Sequence, residues 1–255
     1  MARPQPQPAH EPILDIRGVR TVLSGEVVHR RIDLQVRPGE SLVLLGPSGS
    51  GKSVLLKEII GLLRPTAGEI WFGGQDLARL GEEDFVPVRR QISMLFQGAA
   101  LFDGLSVFDN VAFPLREQGL AGEEELPRIV EEKLSLVGLS GIGEKWPAQL
   151  SGGMRKRVGL ARAIATDPRV ILYDEPSTGL DPTNTRRINE LIRHLQAKIG
   201  VTSFIVTHEL STVFSACDRA ALLWNGEIAA CGPPEELRAS GPDIVRRFLE
   251  GTAPL

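Results

Sequence analysis

Residues Gly46 to Ser53 read GPSGSGKS and fit the spacing G-x-x-x-x-G-K-[ST], the pattern of a phosphate-binding loop. Gly46, Gly49 and Gly51 free the backbone to curl, so that successive N–H groups point inward at an anion. Pro47, Ser48 and Ser50 complete the loop. Lys52 supplies a point charge for the β- and γ-phosphates, and the Ser53 hydroxyl is placed to bind Mg²⁺. A plain Gly/Ser turn would have a similar composition, so the flanks decide. The apolar run SLVLL (Ser41 to Leu45) precedes the loop, and Val54-Leu55-Leu56 with Ile59-Ile60 follow it at helical spacing. The helix expected to start near Gly51 adds its positive N-terminal end to the same anion.

Hydrolysis needs a second carboxylate on the metal side and a group that activates water. VILYDE, ending at Asp174 and Glu175, places both at the end of a buried strand. Asp174 is expected to hold magnesium, generally through water, and Glu175 to polarise the attacking water as general base. His208 ends the apolar run TSFIVTH, and Gln97 ends QISMLFQ. Ligands of parallel α/β sheets gather at the carboxyl ends of strands. His208 is therefore expected beside the γ-phosphate, and Gln97 as a further Mg²⁺ ligand. LSGGM (Leu150 to Met154) opens a helix that runs through RKRVGLARAIA. Ser151, Gly152 and Gly153 at that helix start form a second anion site. One chain does not obviously bring it to a nucleotide on Gly46–Ser53. A two-fold dimer, each copy's second site covering the other's ATP, does so economically.

These residues need a parallel sheet with helices around it to bring them together. ILDIRGV and RIDLQV read as two strands of a half-exposed antiparallel sheet, and EIWFGG as another. The stretch from Leu77 to Arg90 is charged. From Gly98 to about Thr166 the pattern is helical, LPRIVEEKLSLVGL being the clearest case. RVILYDEP is continuous apolar sequence suited to a central parallel strand, and Arg186 to Ile199 is an amphipathic helix. RAALLWNGEIAACG reads as a hairpin turning at Asn225-Gly226. A short helix from Pro234 and another near Ile244 to Glu250 close the chain.

The 255 residues are 42% apolar and 24% charged, as in ordinary globular proteins. A net charge of −3 and 5% aromatics argue against nucleic-acid binding. Cys217 and Cys231 have no metal or disulfide spacing, and His10, His29, His194 and His208 are scattered. No apolar run approaches the roughly 20 residues of a membrane span. The start, MARPQPQPAHEP, has Pro and Gln where a signal peptide needs an apolar core. The expected location is the cytoplasm, with any membrane work conducted through a partner.

The phosphate loop, Gln97, LSGGM, VILYDE followed by STGLD, and His208 occur in this order across nearly the whole chain. Together they resemble the nucleotide-binding subunits of ATP-binding-cassette transporters. The resemblance implies a phosphate-loop α/β core with an N-terminal antiparallel β subdomain and an inserted α-helical subdomain. It assigns Lys52 and Ser53 to Walker A, Gln97 to the Q-loop and Leu150–Met154 to the signature. Asp174 and Glu175 fall in Walker B, Gly179-Leu180-Asp181 in the D-loop, and His208 is the switch histidine. Glu175, His208 and Lys52 are then the catalytic set, and Asp181 joins the nucleotide-binding residues. The expected organisation is a tail over 1–12, a core with β subdomain over 13–97, the helical signature subdomain over 98–166, the core again over 167–232, and a helical tail over 233–255. One station departs. The family stacks adenine on an aromatic residue in the region that here reads RTVLSGEVV. Leu23 or Val28 is left to pack on the base, which opens the preference to GTP.

A narrower resemblance lies in SMLFQGAALFDGLSVFDNVAFPLRE (Ser93 to Glu117), in LSGGM rather than LSGGQ, and in IVRRFLEG (Ile244 to Gly251). These are similar to the MlaF-type ATPases of phospholipid transport systems that contain MCE proteins. The partners this implies are a MlaE-type permease, a MlaD-type MCE protein and a MlaB-type STAS protein, the last on the tail after Pro233. The location implied is the cytoplasmic face of the inner membrane. The apolar residues Ala99 to Phe102, Leu105, Val107 and Phe108 are either core of the helical lobe or a groove for a permease helix. An ATPase of a solute importer and a soluble, non-transport cassette ATPase are the competing readings. The second usually carries two cassettes or long insertions, which this chain lacks.

Overall fold

The first two strands are built by alternation of apolar and polar residues, which gives one buried and one wet face. They are β1 (Leu14–Leu23) and β2 (Glu26–Val36), paired antiparallel. The computed structural model describes residues 11–252, so most of the tail expected over 1–12 lies outside the described residues. β3 (Ser41–Leu45) leads into α1 (Lys52–Ile59). β4 (Ala67–Phe72) pairs with β1 and with the two-residue β5 (Gln75–Asp76). The charged stretch after it forms a 3-10 turn and a short helix, α2 (Glu82–Arg89), before β6 (Ile92–Leu95).

Three helices follow: α3 (Val107–Glu117), α4 (Leu126–Leu136) and α5 (Gly152–Ala163). The core resumes with β7 (Val170–Asp174), α6 (Pro182–Ile199) and β8 (Thr202–Thr207). α6 starts four residues earlier than the amphipathic pattern suggests. Asp181 caps it, accepting the N–H groups of Thr183 and Asn184 at 2.9 and 3.0 Å, and Pro182 suits the first helical position. A further helix, α7 (Leu210–Ala216), has too little periodicity to be legible in the sequence. β9 (Arg219–Trp224) and β10 (Glu227–Gly232) form the expected hairpin, with Asn225 and Gly226 both at positive φ. α8 (Pro234–Ser240) and α9 (Asp243–Leu249) end the described chain.

The strands form one sheet in the order β5-β4-β1-β2-β10-β9-β3-β8-β7-β6. β9, β3, β8, β7 and β6 are mutually parallel, whereas β5, β4, β1 and β2 are antiparallel. Both faces of the parallel half are covered. Leu42 and Leu44 of β3 join the core with α1 and the β1–β2 strands, while Val43 and Leu45 join the core made with the helices from α3 onward. This explains why SLVLL, VILYD and TSFIVT are unbroken buried runs, with no alternation to read. The carboxyl ends of β3, β7 and β8 consequently emerge side by side.

Candidate active site

Gly51 caps α1 in the left-handed region, at φ +98°, a conformation that suits glycine. The loop before it folds back on its own lysine: Lys52 Nζ donates to the carbonyls of Gly46 and Pro47 at 2.8 and 2.9 Å. A side chain on Gly46 would meet the Leu223 carbonyl and Ser50 Oγ, both at 2.7 Å. Burial pushes the Lys52 ammonium below its usual value, while the charges of Glu175 and Asp174 push it back up. A pocket of about 360 Å³ opens here, lined by Ser48, Gly49, Gly51, Lys52 and Ser53 from the loop. Val28 and Val54 give it apolar walls, and Gln97, Glu175 and His208 close it.

The strand ends deliver the acidic pair. Ser53 Oγ donates to Asp174 Oδ1 at 2.6 Å. A hydroxyl and a carboxylate oxygen thus converge, with the Gln97 amide lining the same pocket. These are hard oxygen donors, and Mg²⁺ is commonly held by one or two such groups with water and substrate phosphate completing the shell. The residues present fit the ion. Gln97 sits two residues beyond the end of β6, in a turn followed by Ala99 and Ala100, both at positive φ.

Glu175 also has positive φ, 48°, strained for a non-glycine residue and found mainly where the surroundings impose it. Its Oε2 accepts from Thr207 Oγ1 at 3.1 Å and Thr178 Oγ1 at 3.3 Å, and its Oε1 lies 2.9 Å from His208 Nδ1. Its carbonyl accepts from Lys156 Nζ at 3.2 Å. Lys156, too, is depressed by burial and opposed by the charges of Glu209, Glu175 and Asp174. The carboxylate is therefore oriented on both oxygens yet reaches the pocket. Thr178, Thr207 and Lys156 were not picked out from the sequence. Thr178 and Thr207 sit within reach of the strand ends, but only the turn after β7 says which hydroxyls face Glu175.

The second anion site stands apart. Ser151 caps α5, its Oγ accepting the Met154 N–H at 3.3 Å. Gly152 lies against Leu180, and Gly153 against Asn184, where a Cβ would come within 3.1 Å of Oδ1. Asp181 is occupied in capping α6. None of Ser151, Gly152, Gly153 or Asp181 lines the pocket of the phosphate loop within the chain. Pro47 and Ser50 face an adjoining cleft with Val28, Trp224 and Asn225. Of the residues considered for the groove, Ala99 and Val107 are core, whereas Phe102 is 43% exposed. Phe102 lines a separate, largely apolar groove of about 450 Å³ with Phe96, Ala100, Phe113, Pro114 and Arg162.

A phosphate loop at the carboxyl edge of a mixed sheet, facing a strand-end carboxylate pair and a histidine, defines a phosphate-loop nucleoside triphosphatase. Comparison with known proteins narrows the class. The family model described as ABC transporter matches residues 29–178. The intermembrane phospholipid transport system ATP-binding protein MlaF of Haemophilus influenzae is 41% identical over 94% of this chain and 90% of its own length. The probable ribonucleotide transport ATP-binding protein mkl of Mycobacterium leprae is 42% identical over 93% of the chain, which spans 69% of that protein, and 66% of its Mycobacterium tuberculosis counterpart. The dimeric ATP-binding cassette MJ0796, bound to ADP and Pi, superposes with a TM-score of 0.78 at 30% identity, covering 86% of this chain and 98% of that one. CbiO1 of Clostridium perfringens, part of the ABC transporter complex cbiONQ, gives 0.83 at 29% identity, covering 94% and 96%. The chain belongs to the ABC transporter family and is one of its ATP-binding, ATP-hydrolysing cassettes. Among the described residues no helix is long and apolar enough to cross a membrane.

Proposed function

We propose that this cassette drives phospholipid transport between the inner and outer membrane, in a complex of the MlaFEDB kind. The observation that carries the reading is the match to MlaF, which extends over 94% of this chain and 90% of the Haemophilus influenzae protein. The methionine import protein MetN of Carboxydothermus hydrogenoformans is 43% identical, but the chain covers only 59% of it. Likeness over 94% of this chain and 90% of MlaF, against 79% and 59% for MetN, favours the lipid system over a solute importer.

In the proposed cycle two copies close around two ATP molecules. The backbone N–H groups of the loop from Gly46 to Ser53 and the Lys52 ammonium hold the phosphates. When Mg²⁺ is bound, Ser53, Asp174 and Gln97 hold it, and it neutralises phosphate charge. Glu175 takes a proton from the attacking water as the water oxygen bonds to the γ-phosphorus. The bond from that phosphorus to the bridging oxygen breaks, leaving ADP and phosphate. His208 holds Glu175 at 2.9 Å and faces the same γ-phosphate. Ser151, Gly152 and Gly153, which do not reach the pocket of their own chain, cap the partner copy's ATP, with Asp181 beside them. A dimeric arrangement is what the MJ0796 cassette displays.

The groove at Phe102 receives a cytoplasmic helix of a MlaE-type permease. A MlaD-type MCE protein and a MlaB-type STAS protein complete the assembly, the latter on α8 and α9. The complex sits at the cytoplasmic face of the inner membrane. The test is to tag this chain, purify its complex from native membranes and analyse bound lipid by mass spectrometry. Phospholipid and an MCE-domain subunit in the complex are expected. A complex with a periplasmic solute-binding protein and no enriched phospholipid would overturn the reading.

A further inference from the structure

Beneath the phosphate loop lies a buried polar cluster that the reaction described above does not use. His29 of β2 is fully buried. Its Nε2 is 3.1 Å from the Gly51 carbonyl oxygen, and its Nδ1 is 3.1 Å from Thr21 Oγ1 and 3.4 Å from Glu58 Oε2. Thr21, its cross-strand partner on β1, donates its hydroxyl proton to Glu58 Oε1 at 2.5 Å. Glu58 belongs to α1 and is 1% exposed, and its Oε2, 3.4 Å from Nδ1 of the imidazole, has no hydrogen-bond partner. Polar groups buried this deeply are costly unless paired. Both ring nitrogens face oxygen, Nε2 the Gly51 carbonyl and Nδ1 the Thr21 hydroxyl.

The placement is what gives the cluster a use. The Gly51 carbonyl already accepts the Leu55 N–H at 3.1 Å, the first bond of α1. His29 adds a second donor from the sheet, so one oxygen ties loop, helix and sheet together. The ring packs directly on the loop: a Cβ on Gly51 would lie 2.7 Å from Nε2. In a trans peptide the carbonyl and the following N–H point in opposite directions. With the Gly51 carbonyl turned down to His29, the Lys52 N–H is turned up to the pocket. A donor on that carbonyl also polarises the peptide and strengthens its N–H as a donor.

We propose that His29 is a positioning residue for nucleotide binding: with Thr21 and Glu58 it holds the Gly51 peptide so that the Lys52 N–H faces the phosphates. The inference rests on the phosphate-loop reading of Gly46–Ser53. Two variants of the full chain separate it from mere packing. In His29→Gln the amide nitrogen stands near the place of Nε2 and keeps the bond to Gly51. In His29→Asn the shorter amide stands near Nδ1, keeps Thr21 and Glu58, and loses Gly51. The Thr21 hydroxyl still donates to Glu58 in both, so both are expected to fold, with melting temperatures that report any difference. ATP affinity by titration calorimetry should be near wild type for Gln and about tenfold weaker for Asn, the worth of one lost hydrogen bond. The KM for ATP should rise with it, and kcat at saturating ATP should change less. A third variant, Thr21→Val/His29→Leu/Glu58→Leu, replaces the whole cluster by apolar groups and should restore stability without restoring affinity. Equal affinities for the Gln and Asn variants, or wild-type affinity in the triple variant, would overturn the proposal. Lys52→Ala runs in parallel. Loss of ATP binding there, with Gln and Asn alike, overturns the His29 inference alone; retained binding in Lys52→Ala overturns the loop reading and this inference with it.

Discussion

Glu175→Gln keeps the length and shape of the side chain and removes its capacity to take a proton. The structure says why the fold should tolerate it. Glu175 Oε2 accepts two threonine hydroxyls, from Thr207 at 3.1 Å and Thr178 at 3.3 Å, and an amide oxygen accepts them equally well. The new NH₂ group would face His208 Nδ1, now 2.9 Å from Oε1, and the imidazole can accept from it in the tautomer protonated at Nε2. No buried donor or acceptor is orphaned, so the stability change should stay within about 1 kcal/mol, or about 2–4 °C in melting temperature for a chain of this size. The loss falls on the chemical step instead. General-base catalysis contributes about 10²- to 10⁴-fold, which is about 2.7 to 5.4 kcal/mol of barrier. Steady-state phosphate release should therefore drop at least a hundredfold. ATP affinity should hold, because the loop and Lys52 are untouched. Size-exclusion chromatography in ATP should show a dimer that persists. Turnover at the wild-type rate would refute the base assignment, and loss of ATP binding in step with turnover would make Glu175 a structural residue.

Ser151→Arg should abolish hydrolysis while single-copy ATP affinity stays unchanged, with about 1 kcal/mol lost from the α5 cap; unaltered turnover would count against a site shared between two copies. Phe102→Ala should weaken association with the permease on the order of thirtyfold, as for an aromatic anchor. It should leave the ATPase of the isolated chain intact, because Asn110 holds the backbone of residue 102 independently of the ring. Equal co-purification of the permease would place the contact elsewhere. Asp218 lies below the usual carboxylate range: burial raises it, and the Ser41 N–H, Arg193 and Gln196 outweigh that. A depressed carboxylate stabilises the fold above its unfolded value and loses that contribution as pH falls through the folded one. Asp218→Asn should then cost about 1 kcal/mol near pH 7, discounted for the partial exposure of the pair. The difference from wild type should vanish in strongly acidic denaturation curves, and a constant difference across pH would refute the charge argument.

The phosphate loop, the Asp174–Glu175 pair and the strand-ending His208 could be read directly, because each is a local pattern: residue types at fixed spacing on a strand end or helix start. The buried strands SLVLL and VILYD were legible for a related reason, since a sheet covered on both faces leaves continuous apolar runs. The Asn225-Gly226 turn was legible because its two residues tolerate positive φ. Other features had no such trace. α7 is seven residues long and held by α6 and β3 rather than by its own periodicity. Of the apolar residues after Gln97, composition alone could not separate Val107, fully buried, from Phe102, which lines a groove. The aromatic missing near residue 23 is visible in the sequence, but that Val28 walls the phosphate pocket is not.

By itself, then, the sequence determined which groups are the candidates for the chemistry, since GPSGSGKS and VILYDE carry a phosphate-loop pattern and a strand-end carboxylate pair within a few consecutive residues. Tertiary structure decided how those groups are held and which of them share a site. Ser151 and Asp181 read as nucleotide-binding residues, yet in one chain both cap helices and neither lines the loop's pocket; the helix start was legible in LSGGM, but nothing local in GLD says that Asp181 caps α6. His29 looked like a stray histidine until β2 and α1 closed over it. The reason in each case is the same: burial, hydrogen-bond partners and the side of the sheet a residue faces depend on segments far away in the chain. Thr21 and Glu58 meet at 2.5 Å across 37 residues, and Ser53 meets Asp174 across 121.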